Sequence, residues 1–125
     1  MNEKFVVNND LNIQGTSLAG EIRAYYTELT TLFGKADEGD SYKTVSEWCF
    51  EEQDSGAVIT LYDYKETSAY SSGYPSVDDF KTGKFAIEYH IGAKSPDTAR
   101  RFEQFLREKL ELLRRPNSIK YITEE

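Results

Sequence analysis

A chain of 125 residues is long enough to bury one hydrophobic core and too short for two ordinary domains, so we expect a single domain over residues 1–125. Its 22 acidic and 15 basic residues give a net charge of -7, which disfavours duplex nucleic acid as a direct partner. The single cysteine excludes an internal disulfide, no apolar run could span a bilayer, and the N-terminus lacks a signal-peptide pattern. These features predict a cytoplasmic protein without a membrane partner.

The N-terminal part is predicted to hold two short strands followed by a helix. The apolar pieces at 5–7 and 11–13 flank a polar turn, which is typical of brief strands or of an extended arm. Thr16 and Ser17 then offer helix N-caps and Gly34 offers a stop, while apolar residues between them recur at a spacing of three or four. These apolar residues are Leu18, Ile22, Tyr25, Leu29 and Leu32.

Two strands are predicted next, over residues 44–53 and 57–66. In the first, Trp48 and Phe50 alternate with more polar neighbours, as expected when one face of a strand is buried. The second strand has apolar residues on both faces and is expected to be covered on both sides. Residues 54–56 contain a glycine and are typical of a tight hairpin between the two strands.

The C-terminal half is predicted to hold a long loop, a strand and a helix. Residues 67–83 are rich in Ser, Gly and Tyr and form the loop, and residues 84–91 alternate as a strand does. Helical spacing runs through 95–115, and the tail at 118–125 alternates as an added edge strand would. Together the elements predict an α+β fold, an antiparallel sheet of three to five strands with two helices on one face.

The sequence contains no motif that predicts catalysis. One histidine, His90, and one cysteine, Cys49, are too few for a zinc site, and Cys49 lies in an apolar stretch that favours a buried, unreactive thiol. No nucleophile elbow, phosphate-binding glycine motif or histidine-glutamate metal motif is present. We therefore expect a protein that is not an enzyme and that uses no metal and no cofactor.

The strongest candidate for a binding site is the loop at 92–95 together with the helix start that follows it. Small residues allow close backbone approach, and a helix N-terminus favours an anion. Asp97 and Pro96 count against this interpretation, because Asp97 already complements the helix dipole and Pro96 removes an N–H. The alternative is that the stretch only connects the strand to the helix. Tyrosines of the 67–83 loop could stack on a base or fold back onto the core. The predicted ligand contacts are Tyr70, Tyr74, Phe80, His90, Lys94, Ser95, Arg100 and Arg101.

Basic residues are concentrated in the C-terminal helix of this acidic chain. Four carboxylates in the same helix could pair with them, so they could form an ordinary solvated face. Alternatively they could line a basic pocket. The basic residues are Arg100, Arg101, Arg107, Lys109, Arg114 and Arg115.

Five segments give the chain a resemblance to a small family of bacteriophage proteins. They are GTSLAGEI, LTTLFGK, YKTVSEW, GAVITLYDYKE and YHIGAKS, and they cover most of residues 15–95. The chain departs from the family pattern at Lys35 and Ala36, where a proline is usual, at Tyr89, where tryptophan is common, and at Ala93, where a second glycine is usual. The resemblance implies a phage origin and a shared sheet, and it carries no known activity.

Small acidic phage proteins without catalytic motifs often counter host defence, an argument by association. We therefore expect a non-catalytic binding protein of the host cytoplasm that sequesters a nucleotide-like or other phosphorylated small ligand. The alternative is an acidic interaction protein that imitates nucleic acid and inhibits a host defence protein. A homo-oligomer is possible in either case, because a second copy would supply another wall for a small sheet.

Overall fold

The computed structural model describes residues 3–37, 46–64 and 76–115. In these ranges the chain forms one five-stranded antiparallel sheet, in the order β1-β3-β4-β5-β2, and three helices. The elements are β1 (Phe5–Val7), β2 (Ser17–Tyr25), α1 (Tyr26–Phe33), β3 (Glu47–Glu52), β4 (Val58–Tyr62), α2 (Val77–Lys81), β5 (Ala86–Ala93) and α3 (Pro96–Arg114). The α+β prediction is confirmed, with α2 as a short third helix.

All three helices pack on the same face of the sheet. The strand register places one set of apolar residues side by side on this face. Trp48 contacts Tyr26 of α1, Tyr89 contacts Phe80 of α2, and Phe50 contacts Phe102 of α3. The buried sheet residues of this core are Phe5, Ile22, Ala24, Trp48, Phe50, Ile59, Leu61, Ile87, Tyr89, Ile91 and Ala93. The opposite face carries no helix within the described residues, and we call it the helix-free face.

Helix α3 forms where the sequence predicts it and is fixed to the sheet at two levels. Ser95 caps its N-terminus, because the Ser95 Oγ accepts the Thr98 N–H at 3.2 Å. The apolar stripe packs onto the sheet, as the 4.8 Å ring separation of Phe102 from Phe50 illustrates. Arg101 also donates two hydrogen bonds, of 2.7 and 2.9 Å, to the carboxylate of Glu52. The side chain of Glu52 is only 3% exposed, so this pair compensates a buried charge.

The predicted helix from residue 16 to 34 is wrong in its first half. Residues 17–25 form the edge strand β2, and only 26–33 are helical. Within β2 the buried Ile22 and Ala24 alternate with exposed neighbours, and the strand pairs with β5 along almost its whole length. Long-range pairing with β5 therefore overrides the helical spacing of the local sequence. Residues 11–13, predicted as a brief strand, are not part of the sheet.

The predicted central hairpin is confirmed in shortened form. Strands β3 and β4 pair antiparallel from Glu47 opposite Tyr62 to Glu51 opposite Val58, and Gly56 in the turn has φ of 76°. Part of the predicted 67–83 loop is the helix α2, capped by Ser76. The predicted tail strand at 118–125 lies outside the described residues. No helix of the described ranges combines the length and apolar character needed to cross a bilayer.

The outer edge of β2 is irregular and partly covered. A bulge interrupts its pairing with β5 between Leu18 and Gly20. Nearer α1, the Tyr25 N–H donates to the carboxylate of Glu28 at 3.0 Å. Arg114 of α3 donates to the backbone carbonyl of Arg23 at 3.4 Å. Side chains of α1 and α3 thus occupy backbone groups that the sheet leaves unpaired.

Candidate ligand-binding site

At the predicted site around the start of α3, most polar side chains already have partners within the molecule. Arg100 pairs with Asp97 in the first turn of the helix, and Arg101 is held by the buried Glu52. Ser95 uses its hydroxyl as the helix cap. Lys94 is exposed and passes over Gly15. The helix start therefore presents an exposed lysine and a capped N-terminus, which is a weak arrangement for an anion.

The other predicted contacts do not join this helix start. Phe80 is completely buried, with its ring 5.3 Å from that of Tyr26, so it belongs to the core and cannot stack on a ligand. His90 lies on the helix-free face beside the rings of Tyr62 and Tyr64, and its Nε2 is 3.5 Å from a carboxylate oxygen of Glu21. Tyr70 and Tyr74 lie outside the described residues.

A depression of about 780 Å³ lies on the solvent side of α3, but it is not a convincing site. Its lining residues all come from this one helix, so no second element of the described chain supplies a wall. Carboxylates and guanidinium groups are mixed along it, and several pair with each other, such as Arg107 with Glu103. This surface is best understood as a solvated helix face.

The better candidate is a groove between the edge of β2 and the C-terminal half of α3. Its volume is about 500 Å³, within the range typical of small-molecule sites. Ile22 and Leu110, each 2% exposed, form an apolar floor. We call this site the arginine groove; its lining residues are Ile22, Arg23, Arg107, Leu110, Glu111, Arg114 and Arg115.

Three of the four arginines come from α3 and the residue that follows it. Arg107 and Arg114 lie seven residues, or two turns, apart on α3 and so project from the same side of the helix, and Arg115 follows the last residue of α3. Arg23 of β2 contributes its backbone: it alternates with the buried Ile22, it pairs with Glu88 of the helix-free face, and its carbonyl accepts a hydrogen bond from Arg114. A prediction of a basic pocket on the C-terminal helix was possible from the sequence. The wall formed by β2 could not be predicted, because residues 17–25 were expected to be helical.

The arginines of the groove are held by carboxylates at its margins. Arg114 donates from Nε and Nη2 to the two carboxylate oxygens of Glu28, at 2.6 and 2.7 Å. These bonds from Arg114 lower the pKa of Glu28, and the Tyr25 N–H contributes in the same direction. Arg115 contacts Glu111 at 3.2 Å. Each guanidinium has five N–H donors, so these pairs orient the arginines and leave donors for a ligand.

Arg23 differs from the other three arginines of the groove. Among the residues that the structure describes, it has no ion-pair partner, whereas Arg107, Arg114 and Arg115 each have one. The guanidinium groups of Arg107, Arg114 and Arg115 face a single lining carboxylate, Glu111, so the groove carries local positive charge in a protein of net charge -7. Such an arrangement can bind phosphate or carboxylate groups bidentately over an apolar floor.

The groove does not contain the groups that nucleophilic catalysis requires. Neither histidine nor cysteine lines it, and Cys49 is buried in β3, on another part of the sheet. Burial, reinforced by Glu47 and Asp37, raises the pKa of Cys49 to about 12, so its thiol stays protonated. Within the described ranges, no three side chains of the metal-binding types are placed to share an ion.

Comparison with known proteins adds no family to this description. No family model matches the chain, and no curated protein sequence matches it significantly. The resemblance to bacteriophage proteins therefore stays a prediction from the sequence segments.

Proposed function

We propose that this protein is a non-catalytic binding protein that captures a phosphorylated, nucleotide-like small ligand in the arginine groove. The observation that carries the proposal is the meeting of three guanidinium groups, those of Arg107, Arg114 and Arg115, with the apolar floor of Ile22 and Leu110 in one cavity. The guanidinium groups suit phosphate oxygens, and the apolar floor suits the flat face of a base. Capture needs no catalytic group.

The biological role that we attach to this capture follows from the predicted phage origin. A phage protein that holds a nucleotide signal lowers its free concentration in the host cytoplasm and so counters a defence system that depends on it. The role requires only tight binding and slow release. It also predicts that the ligand leaves intact when the protein is denatured, which separates capture from hydrolysis.

The proposal is tested by thermal melting with a panel of cyclic dinucleotides, cyclic trinucleotides and ADP-ribose isomers, each compared with its unphosphorylated nucleoside. A ligand at a hundredfold excess over its Kd stabilises the folded state by about 2.7 kcal/mol, which raises the Tm of a domain of this size by about 10 °C. The nucleosides are expected to give no shift. Absence of a shift with every phosphorylated compound would overturn the proposal.

Two matched variants locate the site. Arg115→Gln removes an exposed arginine of the groove, and we expect about tenfold weaker binding of the phosphorylated ligand. Arg100→Gln removes the same charge outside the groove, and a change of less than about twofold is expected. The reverse pattern would place the ligand at the start of α3.

The second candidate function is inhibition of a nucleic-acid-binding host protein by an acidic surface. It is favoured by the net charge and by four glutamates on the helix-free face. They are Glu21, Glu47, Glu51 and Glu88. Affinity capture from bacterial lysate supports this function if it recovers a protein that duplex DNA and salt both displace. Recovery of no such protein counts against it.

A further inference from the structure

Three aromatic rings cluster on the helix-free face. Tyr62 and Tyr64 lie 6.5 Å apart with their planes at 88°, and the ring of His90 lies 5.6 Å from Tyr62 and 5.7 Å from Tyr64. The register explains the meeting, because Tyr62 is paired directly with His90 across β4 and β5. The rings contribute nothing to the core, which lies on the other face of the sheet.

A cavity of about 260 Å³ lies beside these rings. We call it the aromatic pocket, and it is lined by Ile13, Thr16, Ser17, Glu47, Thr60, Tyr62, Tyr64 and Gly92. One wall comes from the segment between β1 and β2, which Asn8 and Asn9 fasten to the backbone of Cys49 with hydrogen bonds of 2.8 Å each. The pocket therefore has walls from separate parts of the chain.

The floor of the pocket requires a glycine. A Cβ atom at position 92 would stand 2.3 Å from the Oγ1 of Thr60, closer than any real contact of this kind. Because Gly92 has no side chain, Thr60 can lie against its backbone. The floor is thus formed by backbone and a hydroxyl, below the two tyrosines.

Among the described residues that line the aromatic pocket, the charged one is Glu47. Burial, together with the neighbouring Glu47 and Tyr64, raises the pKa of Tyr62, so its phenol stays neutral in the physiological range. The π-faces of tyrosine rings also present negative potential. Carboxylate, phenols and hydroxyls together favour a positively charged guest.

We infer that the aromatic pocket binds a small organic cation, a quaternary ammonium or protonated amine group. The tyrosine rings attract the cation through their π-faces, Glu47 supplies the balancing charge, and Ile13 gives an apolar contact for methyl or methylene groups. The cavity suits a small head group, since it is below the size range of most drug-sized sites. This inference does not depend on the arginine groove or on its ligand.

The test uses choline as the probe and its uncharged carbon isostere, 3,3-dimethylbutan-1-ol, as the matched control ligand. Titration followed by amide chemical shifts in NMR gives both affinities. Cation–π attraction predicts that choline binds about tenfold more tightly than the isostere and shifts the amides of residues 60–64 and 90–92. Equal affinity of the two compounds would overturn the inference. So would the absence of choline binding at concentrations about a hundredfold above a millimolar Kd.

Variants separate charge from shape. Glu47→Gln is expected to weaken choline binding about fivefold, and Glu88→Gln, which removes a glutamate of the same face outside the pocket, less than twofold. Tyr64→Leu keeps an apolar side chain and is expected to weaken binding about tenfold. The Tm of each variant shows that it is folded. Equal effects of Glu47→Gln and Glu88→Gln, or an unchanged affinity in Tyr64→Leu, would contradict the assignment.

Discussion

The arginine groove and the aromatic pocket are both built against β2, yet their chemistry is opposite. The groove places three guanidinium groups around an apolar floor, at the edge where α3 crosses the sheet. The pocket places a carboxylate and two phenols on the helix-free face. A net charge of -7 for the whole chain therefore does not determine which ligand any one surface can bind.

Carboxylates also serve different purposes in the two regions. At the groove, Glu28 lies beside the arginines and holds Arg114 by a bidentate pair, so its charge is largely compensated within the protein. At the pocket, Glu47 lines the cavity itself. A glutamate beside a site can thus hold another side chain in place, as Glu28 does, or line the site itself, as Glu47 does.

The largest expected effect concerns the reactivity of Cys49, which lies two residues from Glu47 on β3. With a pKa of about 12 its thiolate fraction at pH 8 is about 10⁻⁴, against about one quarter for an ordinary cysteine. We expect alkylation by iodoacetamide, followed by intact mass, to be about 1,000-fold slower in the native protein than in urea. Comparable rates would show that the pocket side is neither buried nor electronegative as described.

The next test disturbs the groove and leaves the pocket unchanged. Leu110 is 2% exposed and contributes both to the core and to the floor of the groove, so Leu110→Ala is expected to lower the free energy of unfolding by about 2–4 kcal/mol. Urea denaturation measures this loss. Leu112→Ala is the control, because Leu112 is 52% exposed on the same helix, and a change within about 0.5 kcal/mol is expected. The affinity of Leu110→Ala for choline should remain that of the wild type. A clear loss of choline affinity in this variant would show that the two regions are not independent.

The smallest expected effect is a pH dependence at the margin of the groove. Arg114 holds the pKa of Glu28 below its ordinary value, so the pair stabilises the folded state fully at pH values above the unfolded-state pKa of about 4.3. This stabilisation is lost as the pH falls through the lower, folded-state pKa. Wild type should therefore be more stable than Glu28→Gln at pH 7, and the difference should shrink on acidification below pH 4.3.

Urea denaturation at several pH values measures that difference, and a second pair of proteins supplies the control. In an Arg114→Gln background the largest cause of the pKa shift is absent and the Tyr25 N–H remains, so the effect of Glu28→Gln should lose most of its dependence on pH. An unchanged dependence in that background would assign it to another group.

Much of the fold could be predicted because local pattern and tertiary environment agree. The hairpin of β3 and β4, the strand β5 and the helix α3 with its Ser95 cap all follow from period, turn residues and capping. Strand β2 could not be predicted, since the spacing of Leu18, Ile22 and Tyr25 also fits a helix. Pairing with β5, a contact some 70 residues distant, decides between the two.

The same misassignment concealed much of the candidate site. Arg107, Arg114 and Arg115 were recognisable as a basic helix side, but Arg23 on the opposite wall was not. Phe80 was expected at a ligand because the segment around it is rich in Ser, Gly and Tyr, whereas the short helix α2 turns its ring into the core. Which aromatic residues face solvent depends on packing that no local pattern records.

The cover over the outer edge of β2 has a consequence for how the protein behaves at high concentration. An edge strand of nine residues is a template on which another chain could form a continuing sheet and start aggregation. Arg114 donates a hydrogen bond to the carbonyl of Arg23, and Glu28 accepts one from the N–H of Tyr25. A bulge disturbs the pairing near the N-terminal end of the strand. The side chains that hold the arginine groove in place thereby also keep neighbouring molecules from joining their sheets along this edge.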